Sequence, residues 1–127
     1  MLAALGMFVF ETSSAPFDEL ARRREWRHER TDRFGARAAS QYVGPGQDAV
    51  TLSGALIPGL AGKYSSLERL VEMADSGEAY PLMDGSGTVL GTFTIEGLDE
   101  THKALTENGR ARWIDFSLNL QRVADER

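Results

Sequence analysis

Hydrophobic and polar residues alternate with a period of two along much of this chain, which is the pattern of β-strands that bury one face. The alternation is clearest in residues 113–123, where four apolar side chains share one side: Ile114, Phe116, Leu118 and Leu120. The expected partner of this strand is residues 97–105, because Asn108-Gly109 between the two segments favours a tight hairpin turn. The C-terminal part of the chain therefore predicts a β-hairpin.

Further strands are predicted upstream of this hairpin. They are residues 2–10, which form an apolar run, and residues 38–43, 49–57, 80–83 and 88–98. Gly44-Pro45-Gly46 is expected to close the strand that begins at residue 38. Residues 84–87 are expected to form a hairpin turn, because their two glycines can adopt positive φ angles.

One helix is predicted at about residues 66–76. Ser65 is placed to cap its first turn, with Glu68 at the spacing of a capping box, and Gly77 is placed to end it. Its apolar stripe has helical spacing and consists of Leu67, Leu70, Val71 and Ala74. Many strands with a single helix predict an α+β domain, mainly an antiparallel β sandwich or barrel.

Residues 12–36 differ from the rest of the chain, since they are polar, rich in arginine and punctuated by separate aromatic residues. We predict a long arm or loop here, protruding from the domain. Arginine and tryptophan are enriched at interface hot spots, so the arm is interpreted as an ordered interface, with a mobile surface loop as the alternative. The candidate interface residues are Phe17, Arg22, Arg23, Arg24, Trp26, Arg27, Arg30, Arg33, Phe34 and Arg37.

Charge is segregated along the chain. Residues 22–37 contain seven arginines and three acidic residues, a local charge of +4, whereas the whole chain carries −5 and the remainder therefore −9. Three interpretations stay open. The basic segment pairs with acidic faces of neighbouring copies, or it is a solvated charged segment, or it binds nucleic acid or another anion.

Length and candidate chemistry indicate a binding protein. The 127 residues fit one domain, residues 1–127, and the absence of cysteine excludes disulfides and thiolate metal sites. His28 and His102 lie far apart without metal-ligand spacing, and residues 84–87 lack the later acidic residue of a calcium loop. Asp115 is expected to face outward and pair with Arg112 or Arg37. We therefore expect no catalytic residues, no metal site, no cofactor and no enzymatic activity.

Membrane insertion is not expected either. The N-terminal apolar run ends at Glu11, long before a bilayer could be crossed, and it lacks the basic start of a signal peptide.

Short motifs distributed along the whole chain carry a family resemblance. They are Leu5-Gly6-Met7-Phe8-Val9-Phe10, Arg33-Phe34-Gly35-Ala36-Arg37, Gln41-Tyr42-Val43-Gly44-Pro45-Gly46, Val50-Thr51-Leu52-Ser53-Gly54 and Ile114-Asp115-Phe116-Ser117-Leu118, followed by Arg122-Val123. In this order they resemble the gpU-type tail proteins of temperate contractile-tailed bacteriophages and of R-type tailocins.

This resemblance implies a tail-tube-like domain with a structural, non-enzymatic role in tail assembly. The implied place is a ring, sixfold like the tube, at the baseplate-proximal end. A tail terminator at the head-proximal end is the alternative. The implied partners are copies of the chain itself and the neighbouring tube and baseplate or hub proteins. No membrane partner is expected, and the acidic remainder of the chain disfavours nucleic acid, which stays an alternative partner of the segment at residues 22–37. The implied location is the virion tail, assembled in the cytoplasm of the bacterial host.

Overall fold

The computed structural model describes residues 2–33, 35–58 and 60–124, with the backbone alone for residues 31–33 and 36–39. In this part of the chain the elements are β1 (Ala3–Leu5), β2 (Phe8–Phe10), β3 (Phe17–Arg33), β4 (Ala36–Leu56), α1 (Tyr64–Asp75), β5 (Tyr80–Asp84), β6 (Val89–Leu105) and β7 (Ala111–Arg122). All the strand pairs are antiparallel, and they join in one sheet in the order β2-β1-β5-β6-β7-β4-β3.

The predicted α+β class is confirmed, but the predicted barrel is wrong. The sheet is open, because its two outermost strands, β2 and β3, lie at opposite ends of the strand order and do not pair. Strand β3 is mostly exposed and charged, so closing a barrel through it would bury charged side chains. The apolar face that a second sheet would cover in a sandwich is covered by α1, which lies against β6.

The core lies between α1 and one face of the sheet. The predicted inward side of β7 is confirmed, since its four alternating apolar residues are buried: Ile114, Phe116, Leu118 and Leu120. Phe10 and Phe93 are the largest fully buried side chains of the core. In α1, Leu67 and Leu70 are buried as predicted, whereas Met73 takes the inward place that was assigned to Val71, which is exposed.

The helix begins earlier than predicted, and its capping box is wrong. Lys63 is the N-cap residue and makes no side-chain capping bond. The chain before the helix is held instead by two backbone bonds to the turn after β2, from Gly62 N to Thr12 O (2.7 Å) and from Lys63 N to Ser14 O (2.8 Å). These bonds start the helix before Ser65, which therefore lies in its first turn. The predicted end is confirmed, because Gly77 follows α1 with a φ of 71°.

Three predicted strand assignments are wrong. Residues 2–10 form a hairpin of two short strands, not one strand, because the chain turns at Gly6 and Met7. The Gly44-Pro45-Gly46 stretch does not end a strand, since β4 continues through it with irregular register. In β6, the two predicted segments at residues 88–98 and 97–105 are one continuous strand.

Both predicted tight turns are confirmed. The turn at residues 84–87 is closed by Asp84, whose Oδ1 accepts hydrogen bonds from Ser86 N (2.9 Å) and Thr88 N (3.0 Å). The turn between β6 and β7 is closed by the bond from Thr106 N to Arg110 O (2.8 Å). No helix in the described part of the chain is long and apolar enough to cross a membrane.

Gly54, the last residue of the motif Val50-Thr51-Leu52-Ser53-Gly54, occupies a position that has no room for a side chain. A Cβ atom at this position would lie 2.4 Å from Pro16 O and 2.6 Å from Phe17 Cα, much closer than atoms pack. The backbone that leads into β3 therefore crosses β4 at a point where a side chain has no room.

Candidate assembly interface

The predicted arm is one half of a long β-hairpin. Strands β3 and β4 pair from Phe17↔Gly54 to Arg33↔Ala36, whereas β4 pairs with β7 only between Ala49 and Leu56. Beyond Ala49, the described residues place no third strand beside the hairpin. We call residues 24–47 the distal hairpin. Its strand from Arg24 to Arg33 spans about 30 Å at the usual rise per residue, so it projects well beyond the sheet.

The distal hairpin is twisted by bulges in β4. Trp26 pairs with Pro45 although Arg24 pairs with Asp48, so β4 carries one more residue than β3 over this step. A second shift follows between Arg27 and His28. Pro45 is tolerated here because a bulge frees a strand residue from donating a ladder hydrogen bond. Bulges strengthen local twist and protect an exposed edge from indiscriminate strand pairing.

The distal hairpin exposes large side chains that a folded monomer usually covers. Trp26 is 58% exposed and Tyr42 57%, and Val43 is also exposed. Tyr42 meets His28 across the two strands, with their ring centroids 5.4 Å apart in an edge-to-face arrangement. The exposed basic side chains near them are Arg23, Arg24, Arg27 and Arg30. This surface combines aromatic area with guanidinium groups, the composition of protein interface hot spots.

A charged joint ties the base of the hairpin to the sheet. Arg22 donates two hydrogen bonds to Asp48, from Nε to Oδ1 (2.9 Å) and from Nη2 to Oδ2 (2.7 Å), and Nη2 also reaches Leu90 O (3.3 Å). The side chains of Arg22 and Asp48 are only 16% and 14% exposed. Arg122 approaches the same carboxylate, with Nη1 3.5 Å from Oδ2. The joint therefore links β3 and β4 to β6 and β7.

These contacts lower the pKa of Asp48 from its ordinary value. The hydrogen bonds from Arg22 have the largest effect, and burial opposes them, while Arg122 and the charge of Arg24 act in the same direction as Arg22. The same pairing raises the pKa of Arg22. Asp48 is therefore held as a carboxylate, and the joint is strongest when it is ionised.

The structure divides the ten predicted interface residues into three groups. Phe17 and Arg22 are engaged within the chain: Phe17 packs edge-to-face on Phe10 with centroids 5.6 Å apart, and Arg22 belongs to the joint. The predicted residues with exposed side chains on β3 are Arg23, Arg24, Trp26, Arg27 and Arg30. Phe34 and the side chains of Arg33 and Arg37 lie outside the described residues.

Two exposed hairpin residues were not predicted as interface residues. Tyr42 and Val43 lie on β4, opposite the arginine-rich strand, and they belong to the Gln41-Tyr42-Val43 motif. The predicted arm ended at residue 36, and residues 38–43 were predicted only as a short strand, so the partner strand was not considered as part of the interface. The signal that could have found them is the hairpin itself, since the residues across a two-stranded ladder share its exposure.

The remaining polar candidates make local contacts. His102 Nε2 lies 3.1 Å from Glu100 Oε1, and its ring meets Tyr64 edge-to-face at 5.6 Å. In the described part of the chain, no three His, Cys, Asp or Glu residues come close enough to hold a metal ion together. These contacts bring together neither a nucleophile with a base nor a set of metal ligands.

Asp115 faces outward as predicted, but its predicted pairing with Arg112 is wrong. The carboxylate pairs with Lys103 and accepts a hydrogen bond from Trp113 Nε1 (2.7 Å), and both contacts lower its pKa, Lys103 most. Residues three apart in a strand point to opposite faces, so Arg112 is turned away from Asp115. The side chain of Arg37, the other predicted partner, lies outside the described residues.

The similarity of this chain to known proteins extends over both the sheet and the distal hairpin. The sequence model of the family described as Phage P2 GpU matches residues 6–125. This chain belongs to the GpU family. The family resemblance predicted from the motifs is thereby confirmed.

The chain is also similar to the probable tape measure protein of Halomonas phage phiHAP-1, with 28% identity over 120 residues. This match covers 94% of the chain but 14% of that protein, so the chain spans only a small part of the length of this relative.

Proposed function

We propose that this GpU-family protein is a non-enzymatic structural subunit of a contractile phage or tailocin tail, assembled through its distal hairpin. The observation that carries the proposal is the hairpin itself. It projects beyond the sheet, and it exposes Trp26, Tyr42 and several arginines without a covering element in the described part of its own chain. Family membership supports the tail role.

Burial of these side chains supplies a driving force for assembly. Covering a large aromatic side chain contributes about 2–3 kcal/mol, and an arginine beside it adds directed hydrogen bonds. A free hairpin of two strands is marginally stable in water, so contact with neighbours also orders it. In a closed ring each copy makes this contact once, and the gain is repeated at every interface.

We place the subunit in a ring, sixfold like the tube, at the baseplate-proximal end. The similarity to a segment of a probable tape measure protein supports a position beside that class of protein, because domains joined in one chain often act together in separate chains. The ring would contact the tube and the baseplate or hub proteins of the virion, after assembly in the host cytoplasm. A terminator ring at the head-proximal end is the alternative position.

The proposal is tested by two hairpin variants expressed in place of the native chain in a producing strain. Trp26→Ala and Arg27→Glu should leave the purified chain folded, with an unchanged thermal midpoint, because both side chains are exposed. Both should lower the yield of complete particles, counted by electron microscopy, by about a hundredfold.

Arg110→Glu is the matched control, because Arg110 is also exposed but lies in the turn between β6 and β7. It should leave particle yield unchanged. Normal yield from both hairpin variants would show that the distal hairpin is not an assembly interface. Position in the tail is read separately, from immunogold labelling of intact particles at the baseplate or the head-proximal end.

A further inference from the structure

We infer that the groove between the β1–β2 turn and α1 receives the distal hairpin of a second copy of this chain, with Trp26 against its apolar floor. This inference deepens the proposed function and rests on it, since it names the surface that the hairpin contacts. It depends on four observations: the lining of the groove, the charge beside it, its distance from the hairpin of the same chain, and the state of the adjacent sheet edge.

The groove has an apolar lining beside an exposed methionine. Phe8, Met73 and Tyr80 line it, and Met7 stands at its margin, 93% exposed at the tip of the β1–β2 turn. Its volume is about 280 Å³. This is near the lower end of ligand-pocket volumes, about 300–1,000 Å³, and suits a single ring system. Methionine is unbranched and adaptable, so Met7 can fold over an inserted ring.

The surface beside the groove is acidic. Glu72 lines the groove, and the neighbouring exposed side of α1 and the residues after it carry Glu68, Asp75 and Glu78. One basic residue, Arg69, also lines the groove and pairs with Glu72 (Nη1 to Oε2, 3.2 Å), so the excess negative charge lies beside the groove, on Glu68, Asp75 and Glu78. The local charge is therefore −3.

The distal hairpin carries the opposite charge around Trp26. Arg24 and Arg30 are exposed on the face of β3 that carries Trp26, because residues two and four apart in a strand point to the same face, whereas Glu25, Arg27 and Glu29 point to the other face. Glu25 is already engaged by Arg23, with Nη2 2.8 Å from Oε1. An indole ring flanked by arginines thus faces an apolar groove flanked by acids, and complementary potentials fix the register of such a contact.

The hairpin cannot reach the groove of its own chain. β3 begins close to β2, because Phe17 packs on Phe10 with ring centroids 5.6 Å apart, but Trp26 lies nine residues further along β3. At about 3.3 Å per residue, Trp26 is about 30 Å from Phe17 and therefore well away from the groove. The contact must therefore join two copies, through different surfaces of each. Such head-to-tail contacts close into rings when the rotation between copies closes.

The edge of β2 is already occupied, so the contact uses side chains in the groove and not strand addition. Val9 O, on this edge, accepts a hydrogen bond from Ser14 Oγ (2.7 Å), and Glu11 N donates to the same Oγ (3.0 Å). An incoming strand would have to displace Ser14 before pairing. The groove, which remains open next to this edge, is the accessible surface.

Disulfide trapping tests the contact directly, because the natural chain contains no cysteine. The double variant Met7→Cys/Arg24→Cys replaces two exposed residues, one at the groove and one on the face of the hairpin that carries Trp26. Particles carrying it should give, after mild oxidation, a ladder of linked chains on a non-reducing gel that ends at the ring size. Met7→Cys/Arg110→Cys is the matched control and should give no ladder.

The other outcomes decide against the groove. Dimers from Arg24→Cys alone would mean that hairpins contact hairpins, and particles without a ladder would mean that the hairpin contacts another surface. In both cases the proposed function survives if Trp26→Ala still blocks assembly. If both Trp26→Ala and Arg27→Glu particles form normally, the proposed function itself fails.

A charge swap decides the matter if the cysteine pair blocks particle formation. Arg24→Glu/Arg30→Glu and Glu72→Arg/Asp75→Arg should each lower particle yield by about a hundredfold, because each places like charges across the contact. A chain carrying all four substitutions restores opposite charges and should recover most of the yield. Failure to recover, with the purified chain folded, would overturn the inference.

Discussion

Strand β4 passes through two regions that share a backbone structure but differ in almost everything else. Where β7 and α1 accompany it, its inward residues Val50, Leu52 and Leu56 are completely buried. In the distal hairpin the same strand exposes Tyr42 and Val43. Backbone pairing is therefore continuous along β4, while side-chain burial stops where the third strand stops. The comparison shows that neighbours, and not strand formation, determine whether an apolar side chain stabilises the monomer.

The two regions thus answer to different requirements. In the sheet body, apolar side chains are required to form the core, since their burial supplies the free energy of folding. In the distal hairpin, an exposed tryptophan and tyrosine add little to monomer stability, and the arginines beside them add still less. The proposed contacts with other chains would account for the exposed residues of the hairpin.

The largest effect is expected in the sheet body. Phe93 is fully buried in the core, so Phe93→Ala removes a large apolar side chain and leaves a cavity. We expect it to lower the free energy of unfolding by about 3–5 kcal/mol. Urea titration of the purified chain, followed by circular dichroism, measures the loss. Trp26→Ala removes a still larger side chain from the hairpin and should cost less than about 0.5 kcal/mol. If both variants lowered the free energy of unfolding by similar amounts, the distinction between the two regions would be contradicted.

A smaller effect is expected at the joint between them. Asp48→Asn keeps the shape of the side chain but removes the charge that Arg22 and Arg122 contact. Loss of this largely buried pairing should lower the free energy of unfolding by about 2–3 kcal/mol at pH 7. Hydrogen exchange of the β3 and β4 amides, measured alongside, should rise more than that of β5 and β6.

This effect depends on pH in a defined direction. The pKa of Asp48 is lowered in the folded chain, so its stabilisation is present above the unfolded value of about 3.9 and is lost as the pH falls through the folded value. The difference in free energy of unfolding between the natural chain and Asp48→Asn should therefore decrease below about pH 4. Asp84 and Asp115 also have lowered pKa values, but they are present in both proteins and cancel in this difference. If this difference in free energy of unfolding were constant from pH 7 to pH 3, the ionic character of the joint would be contradicted.

What could be predicted from the sequence follows the same division. Signals that act within a few residues were sufficient for the turn at residues 84–87, for Gly77 at the end of α1 and for the alternating faces of β7. Each depends on local backbone conformation or on a period of two. The arginine-rich composition also singled out the segment that proved to be β3.

Features set by distant contacts could not be predicted in this way. The bonds from residues 62 and 63 to the turn after β2 displaced the start of α1, and the position of the helix over the sheet placed Met73 inward. The open sheet follows from the strand order, which no periodicity encodes. Tyr42 was missed as a candidate interface residue for the same reason, because its exposure depends on where β7 ends.

The smallest predicted effect concerns the opposite end of the molecule, where β6 and β7 also extend beyond their neighbour. Pairing of β4 with β7 ends at Leu56↔Ile114, and Ala104 lies past this point with a φ of 55°. A left-handed conformation strains alanine but not glycine, so Ala104→Gly should raise the free energy of unfolding by about 0.5–1 kcal/mol. Ala111→Gly, in the extended strand opposite, should lower it by about 0.5–1 kcal/mol. Thermal unfolding of the two variants compares the signs directly. If both substitutions lower the free energy of unfolding, the backbone at Ala104 is not strained. The end of the β6–β7 pair would then differ from the sheet body only in the burial of its side chains.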